Sequence, residues 1–399
     1  MTLKDRVLNY LENRRNNILT GNINSIPSPF KRFSNDYIGV EQGRYTVLTA
    51  GTKIGKTQIA SFLYLYNPLL YSYYHPEEAQ IKIFYYPLEE TPEAVMTRFM
   101  SYLLYTLSNG KIRIAPSDLR SSKNDNPLSQ EILDLLKSEE YNKILNYFQE
   151  NIIFSTSTNA TGVWMECVKY AEENGTVYKK KQTIKDEFGI SREIDIFDYY
   201  ESNNPKEYRL IFYDHISLTS TEKGLSTKQS IDKLSEYMVL LRNRYNYSPV
   251  VIQQQAFSNE GLGAFKEGKI RPSVQGAADS KYTMRDCDLC LGLFSPFRFE
   301  LPDYLGYNVK LFKDNLRFME VLINRHGASG GIIGLFFDGT VNSFSELPLP
   351  NDELGLSKVY NYINSLRNKN KPIFFINKIK KANVKFSNYF RKKWYREIH

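Results

Sequence analysis

The stretch Thr46–Ala60, TVLTAGTKIGKTQIA, passes from a short apolar run through two glycines and a Lys-Thr pair into a helix-like pattern. Ala50, Gly51, Thr52, Lys53, Ile54, Gly55, Lys56 and Thr57 fit the spacing of a phosphate-binding loop, with alanine at the first position, where glycine is commoner. Gly51 and Gly55 relieve the steric limits that would keep backbone N–H groups from turning inward, and the helix beginning near Lys56 aims its positive dipole end at the same point. Lys56 is placed to reach β- and γ-phosphates, and the Thr57 hydroxyl to bind a cation. A strand before and a helix after are the context this motif requires, so ATP and Mg²⁺ are the expected ligands.

Outward from this stretch, short β-rich runs alternate with longer helical patterns. The expected strands are RYTVLTA, IKIFYYPL, YRLIFYD, PVVIQQQ, CDLCLGLF and RFMEVLIN; PEAVMTRFMSYLLYTL and STKQSIDKLSEYMVLLRNRYN read as helices. Such alternation predicts an α/β fold with a mainly parallel sheet flanked by helices on both faces. Ligands of these sheets bind beyond the carboxyl ends of the strands, so chemistry-bearing residues should follow each strand. Residues 44–347 are expected to form this core, preceded by a helix and linker over 1–43 and followed by a basic extension over 348–399. A charged, hairpin-like insertion is expected at about 177–207. In the first helix Leu3, Val7 and Leu11 share one face, suited either to the chain's own core or to a neighbouring subunit.

The strand ends do carry candidates. Glu89 and Glu90 follow IFYYPL; a carboxylate there could orient and deprotonate an attacking water, or simply begin the next helix, where acids complement the dipole. Asp214 ends an apolar run, and an acid so placed is costly to bury unless Mg²⁺ held jointly with Thr57 compensates it; an N-cap is the alternative. Three glutamines close VVIQQQ, where one could contact the γ-phosphate and report its loss to the loop that follows. That loop, AFSNEGLGAFKEGKIRPSVQGAADSK, is long, glycine-rich and basic, as functional loops are. Arg325 sits at the tip of a hairpin, as a surface charge or as an arginine reaching a neighbour's nucleotide.

Composition excludes other classes. Hydrophobic residues make up 42% and charged residues 24%, ordinary for a chain with a substantial core. No apolar run approaches the roughly 20 residues of a membrane span, and the charged N-terminus is unlike a signal peptide, so a cytoplasmic protein with no membrane partner is expected. Three cysteines give no disulfide framework, and Cys287 and Cys290 lack partners for a zinc tetrahedron. The net charge of +8 is uneven: from Arg367 to His399 there are eleven Lys or Arg against one acid, so the rest is slightly negative. This tail, with its interleaved aromatics, suits either nucleic acid or a solvated amphipathic helix.

Taken in order, these motifs resemble the motor domain of the DnaB-like replicative helicases, ring-forming relatives of RecA, over roughly Gly21 to Leu347. The resemblance implies a RecA-like P-loop NTPase core that hydrolyses ATP as a homo-hexamer and unwinds DNA by moving along single strands. IFYYPLEETPEAVMTRFM is similar to the segment with the catalytic glutamate, which singles out Glu89, and Arg98 falls where the family has an arginine. LIFYDHISL is similar to the strand whose acid is Asp214, and VVIQQQ to the one carrying a sensor glutamine, here Gln255. GAADSKYTMRDCDLCLGLF resembles the DNA-contacting loop, implying backbone contacts at Ala278, Asp279, Ser280 and Lys281. VLINRHGASGG looks like the hairpin with the trans-acting arginine, Arg325. Two departures stand out: Ala278 where the family usually has arginine, and Ile323 where it has a lysine. No N-terminal collar is expected ahead of the motor, which makes a separate primase or loader protein a candidate partner. Two rival readings are a RecA-like DNA-binding recombination protein and an ATPase that loads or remodels another protein.

Overall fold

The computed structural model describes residues 2–185, 191–256, 271–277 and 280–368. Within them, β1 (Thr46–Ala50), β2 (Gln80–Pro87) and β3 (Ile152–Phe154) open the central sheet. A separate ribbon, β4 (Gly175–Lys185) with β5 (Ser191–Ser202), comes next. The sheet resumes with β6 (Glu207–Asp214), β7 (Ser248–Gln254), β8 (Leu289–Phe294), β9 (Leu316–Asn324), β10 (Ile332–Asp338) and β11 (Ser343–Glu346). Spatial order in this nine-stranded sheet is β11-β10-β9-β8-β1-β7-β6-β2-β3. The six strands from β8 to β3 are parallel, and β9, β10 and β11 fold back antiparallel along one edge. All six strands read from the sequence lie in this sheet.

Both faces of the parallel strands are buried, which is why they read as near-continuous apolar runs. In β6, Leu210 and Phe212 pack on one face with Leu48 and Ile252, while Ile211 and Tyr213 pack on the other with Val47 and Val251. The first face is covered by α2 (Lys56–Ser61), α3 (Asn67–Tyr74), α4 (Pro92–Leu107) and α5 (Glu139–Asn151), through Ile59, Leu69, Phe99 and Phe148. The second is covered by α6 (Ala160–Glu173) and α7 (Thr227–Tyr245), through Val163, Cys167, Leu234 and Met238. Between α2 and α3 the helix widens into a π-type turn at Phe62–Tyr66, just ahead of Pro68. Proline has no N–H to donate and its ring crowds the carbonyl four residues back, so a widened turn accommodates it. Cys287 and Cys290 are buried free thiols.

The N-terminal helix behaves differently. It spans Leu3–Leu19 (α1), is started by a Thr2–Asp5 capping box, and buries no residue. Leu3, Val7 and Leu11 are 69%, 47% and 54% exposed. Polar contacts hold it to its own chain: Arg6 lies 4.3 Å from the Tyr199 ring and Arg14 is 3.9 Å from Glu41. No described helix is long and apolar enough to cross a membrane.

Candidate functional site

The parallel strands β1, β7, β6 and β2 are consecutive in the sheet, so their carboxyl ends share one edge. At β1 the chain turns through the loop into α2. Lys53 (φ 58°) and Gly55 (φ 108°) both adopt left-handed backbone conformations, and Gly55 begins the helix. A side chain is strongly disfavoured at the second of these angles, which accounts for glycine at position 55. The first turn of α2 then presents Lys56 and Thr57.

From the end of β6, Asp214 comes level with this turn, and the Thr57 hydroxyl donates to its Oδ1 at 3.3 Å. Asp214 is 2% exposed. Burial, then the nearby Glu89 carboxylate, raises its pKa from an ordinary 3.8 to about 6, against the opposing pull of Lys56, Arg98 and the Thr57 hydrogen bond. The acid is therefore held in a place where its charge is poorly compensated.

Past the end of β2 the two glutamates separate. Arg98, from α4, grips both carboxylate oxygens of Glu90, with one contact at 2.9 Å. Glu89 remains 42% exposed and meets His215 Nε2 at 2.9 Å, beside Asp214. Neither acid starts the helix: α4 begins at Pro92, and Thr91 is its cap, accepting from the Ala94 N–H. Glu89 thus stays beside Asp214 while Glu90 is committed to an arginine.

The glutamines at the end of β7 divide by the two-residue period of a strand. Gln254, paired with Ala50, donates to the Thr52 hydroxyl in the loop at 2.7 Å. Gln255 was the expected nucleotide contact, yet it is buried and turned elsewhere, donating to Thr49 Oγ1 at 2.8 Å and to the Ser273 carbonyl at 3.1 Å. Gln253 donates to the Ser280 carbonyl at 2.8 Å. One glutamine therefore touches the loop while its two neighbours hold both ends of the segment returning to the sheet. Within that segment Ser280 is buried and Lys281 exposed. Ala278, Asp279 and residues 369–399 of the basic tail lie outside the described residues.

Arg325 is nowhere near these groups. Asn324, just before it, pairs with Leu289, which in turn pairs with Thr46 at the start of β1. The loop instead follows Ala50, level with Leu293 and Met319. Five residues of strand at about 3.3 Å each put Arg325 roughly 17 Å from the loop end of the sheet. Arg325 is exposed, with its guanidinium on the Arg285 carbonyl and its N–H on the Asp288 carbonyl at 2.8 Å.

Two further arginines contact the loop from behind, and neither was singled out from the sequence. Arg317 of β9 donates to the Ile54 carbonyl at 2.7 Å, and Arg298 to the Lys53 carbonyl at 3.1 Å. For Arg317 the available signal was an arginine between apolar neighbours, Leu316 and Phe318, since such a group requires partners when buried.

The sheet order, the loop at β1 and the acids at β6 and β2 define a RecA-like P-loop NTPase fold. Two of the solved structures that share it serve as examples. One is an ATPase domain that superposes with a TM-score of 0.56 at 14% identity, over 87% of this chain and 99% of that one. The other is a DnaB-like replicative helicase, solved for its interactions with primase, with a TM-score of 0.56 at 14% identity. That alignment covers 82% of this chain and 64% of the helicase. No protein-family model and no curated protein sequence matches the chain.

Proposed function

We propose that the protein is an ATP-driven DNA helicase or translocase motor that works as a closed ring of identical subunits, a homo-hexamer. The observation that carries this reading is the separation of Arg325 from its own loop. Lys56, Thr57, Asp214 and Glu89 converge at the carboxyl edge of the sheet, while the exposed arginine leaves from the opposite end. A second copy supplies the arginine, and ATP lies between subunits.

In this reading the loop N–H groups and Lys56 bind the phosphates. Thr57 and Asp214 are hard oxygen donors suited to Mg²⁺, and the poorly compensated charge of Asp214 fits a cation partner. When bound, the ion neutralises charge on the β- and γ-phosphate oxygens. Glu89 orients and deprotonates the attacking water, and His215 holds its carboxylate in place. Arg325 of the next subunit stabilises the charge that develops on the transferred phosphoryl group. Gln254 senses the loop through Thr52, and Gln253 and Gln255 pass the change to the segment that includes Ala278, Asp279, Ser280 and Lys281, where single-stranded DNA is bound. A separate primase or loader is the natural protein partner of such a motor.

Strand displacement on forked DNA tests the reading. ATP-dependent unwinding is expected; ATPase activity stimulated by single strands with no unwinding would point to the recombination or remodelling alternatives.

A further inference from the structure

We infer that Arg317, assisted by Arg298, is a positioning residue that sets the posture of the phosphate-binding loop before any nucleotide arrives. Arg317 is 1% exposed, and its guanidinium is shared among three backbone carbonyls and two side chains. Nε donates to the Ile54 carbonyl at 2.7 Å. One terminal nitrogen donates to the carbonyls of Asp314 at 2.7 Å and Leu316 at 2.9 Å and to Ser295 Oγ at 3.2 Å; the other meets Asp314 Oδ1 at 3.1 Å. Its central carbon, Cζ, lies 4.9 Å from the centre of the Phe337 ring. The same ring would sit 3.7 Å from a Cβ placed on Gly55, so arginine and ring together form a wall behind the loop.

Burying a guanidinium is costly, and an apolar side chain would fill the space at less expense. What an apolar residue cannot do is fix the direction of a carbonyl. In a trans peptide the C=O of one residue and the N–H of the next point opposite ways. Holding the Ile54 carbonyl toward Arg317 therefore turns the Gly55 N–H away from the wall, into the cradle. Arg298 does the same one peptide earlier: its bond to the Lys53 carbonyl turns the Ile54 N–H inward. Two consecutive loop donors are thus aimed from outside, which spares the nucleotide the cost of ordering them. Arg298 is exposed and, with Asp314, lines an open cavity of about 580 Å³, so changes to Arg298 alter a solvated wall and leave the core intact.

This inference rests on the nucleotide reading of the same loop, and the experiment keeps the two apart. Full-length wild type, Arg317→Gln and Arg298→Ala are titrated with Mg²⁺ and ADP, and separately with AMP, which lacks the β-phosphate; Lys56→Ala serves as the control for loop binding, and melting temperature checks folding. The expected result is a loss of ADP affinity of roughly tenfold in Arg317→Gln and about threefold in Arg298→Ala, with AMP affinity unchanged. Wild-type ADP affinity in a folded Arg317→Gln protein would overturn the inference, as would an equal loss for AMP. Should Arg317→Gln not fold, unchanged ADP affinity in Arg298→Ala overturns it. Failure of the wild type to bind ADP, or binding that survives Lys56→Ala, would instead refute the nucleotide reading.

Discussion

The two ends of the central sheet are built on opposite plans. At the carboxyl edge, polar groups are interlocked around a buried acid: Thr57 with Asp214, Glu89 with His215, Glu90 with Arg98, Gln254 with Thr52. At the other end Arg325 stands exposed on its hairpin. The N-terminal helix buries nothing either. The first end is preorganised within one chain; the second presents exposed groups. On the proposed reading, a chain so divided carries half of a site at each end.

Substitutions should separate the two ends. The largest effects belong to Lys56→Ala and Arg325→Ala, each lowering hydrolysis on the order of a thousandfold. They should differ in binding: Lys56→Ala loses ADP affinity, whereas Arg325→Ala retains it, as a titration of each variant would show. Glu89→Gln should slow hydrolysis by roughly a hundredfold or more with ADP affinity preserved, and Glu90→Gln much less, since Glu90 is held by Arg98. Comparable losses in both would remove the distinction between the two acids.

Asp214 gives a pH test with a definite sign. Its folded-state pKa, about 6, lies above its ordinary 3.8, so the folded chain takes up this proton first as pH falls. Its contribution to stability without metal is therefore unfavourable at pH 7 and is relieved between about pH 6 and pH 4, by about 3 kcal/mol in all. Asp214→Asn should melt higher than wild type at pH 7 without Mg²⁺, and the gap should close toward pH 4. The same variant should lose Mg²⁺-dependent hydrolysis. A variant that melts lower at pH 7 would contradict the burial of an uncompensated charge.

Smaller effects are expected at the glutamines. Gln255→Ala leaves Thr49 and Ser273 short of a partner and should cost roughly 1–3 kcal/mol in chemical denaturation. At the exposed end, replacing Val7 or Leu11 by a polar residue should change monomer stability by no more than about 0.5 kcal/mol.

Much of this arrangement was legible in the sequence because parallel strands advertise themselves as apolar runs, and each candidate directly follows one. Lys56, Asp214 and Glu89 were singled out in that way. The three glutamines were harder, since which one faces the loop depends on register, and the pairing of Gln254 with Ala50 is a contact between distant segments. Arg317 meets Ile54 across a still longer separation, and only its apolar surroundings mark it as unusual. β3 and β11 were missed because three or four residues are too few for a period to show. The antiparallel edge could be read only as a hairpin, whereas its place beside β8 decides where Arg325 emerges.

The most direct measurement of a shared site is the ATPase rate of Lys56→Ala mixed with Arg325→Ala. Each protein alone should be inactive, and the mixture should regain part of the wild-type rate, because some interfaces then join an intact loop to an intact arginine. A mixture as inactive as its components, from proteins shown to assemble together, would contradict a site divided between copies.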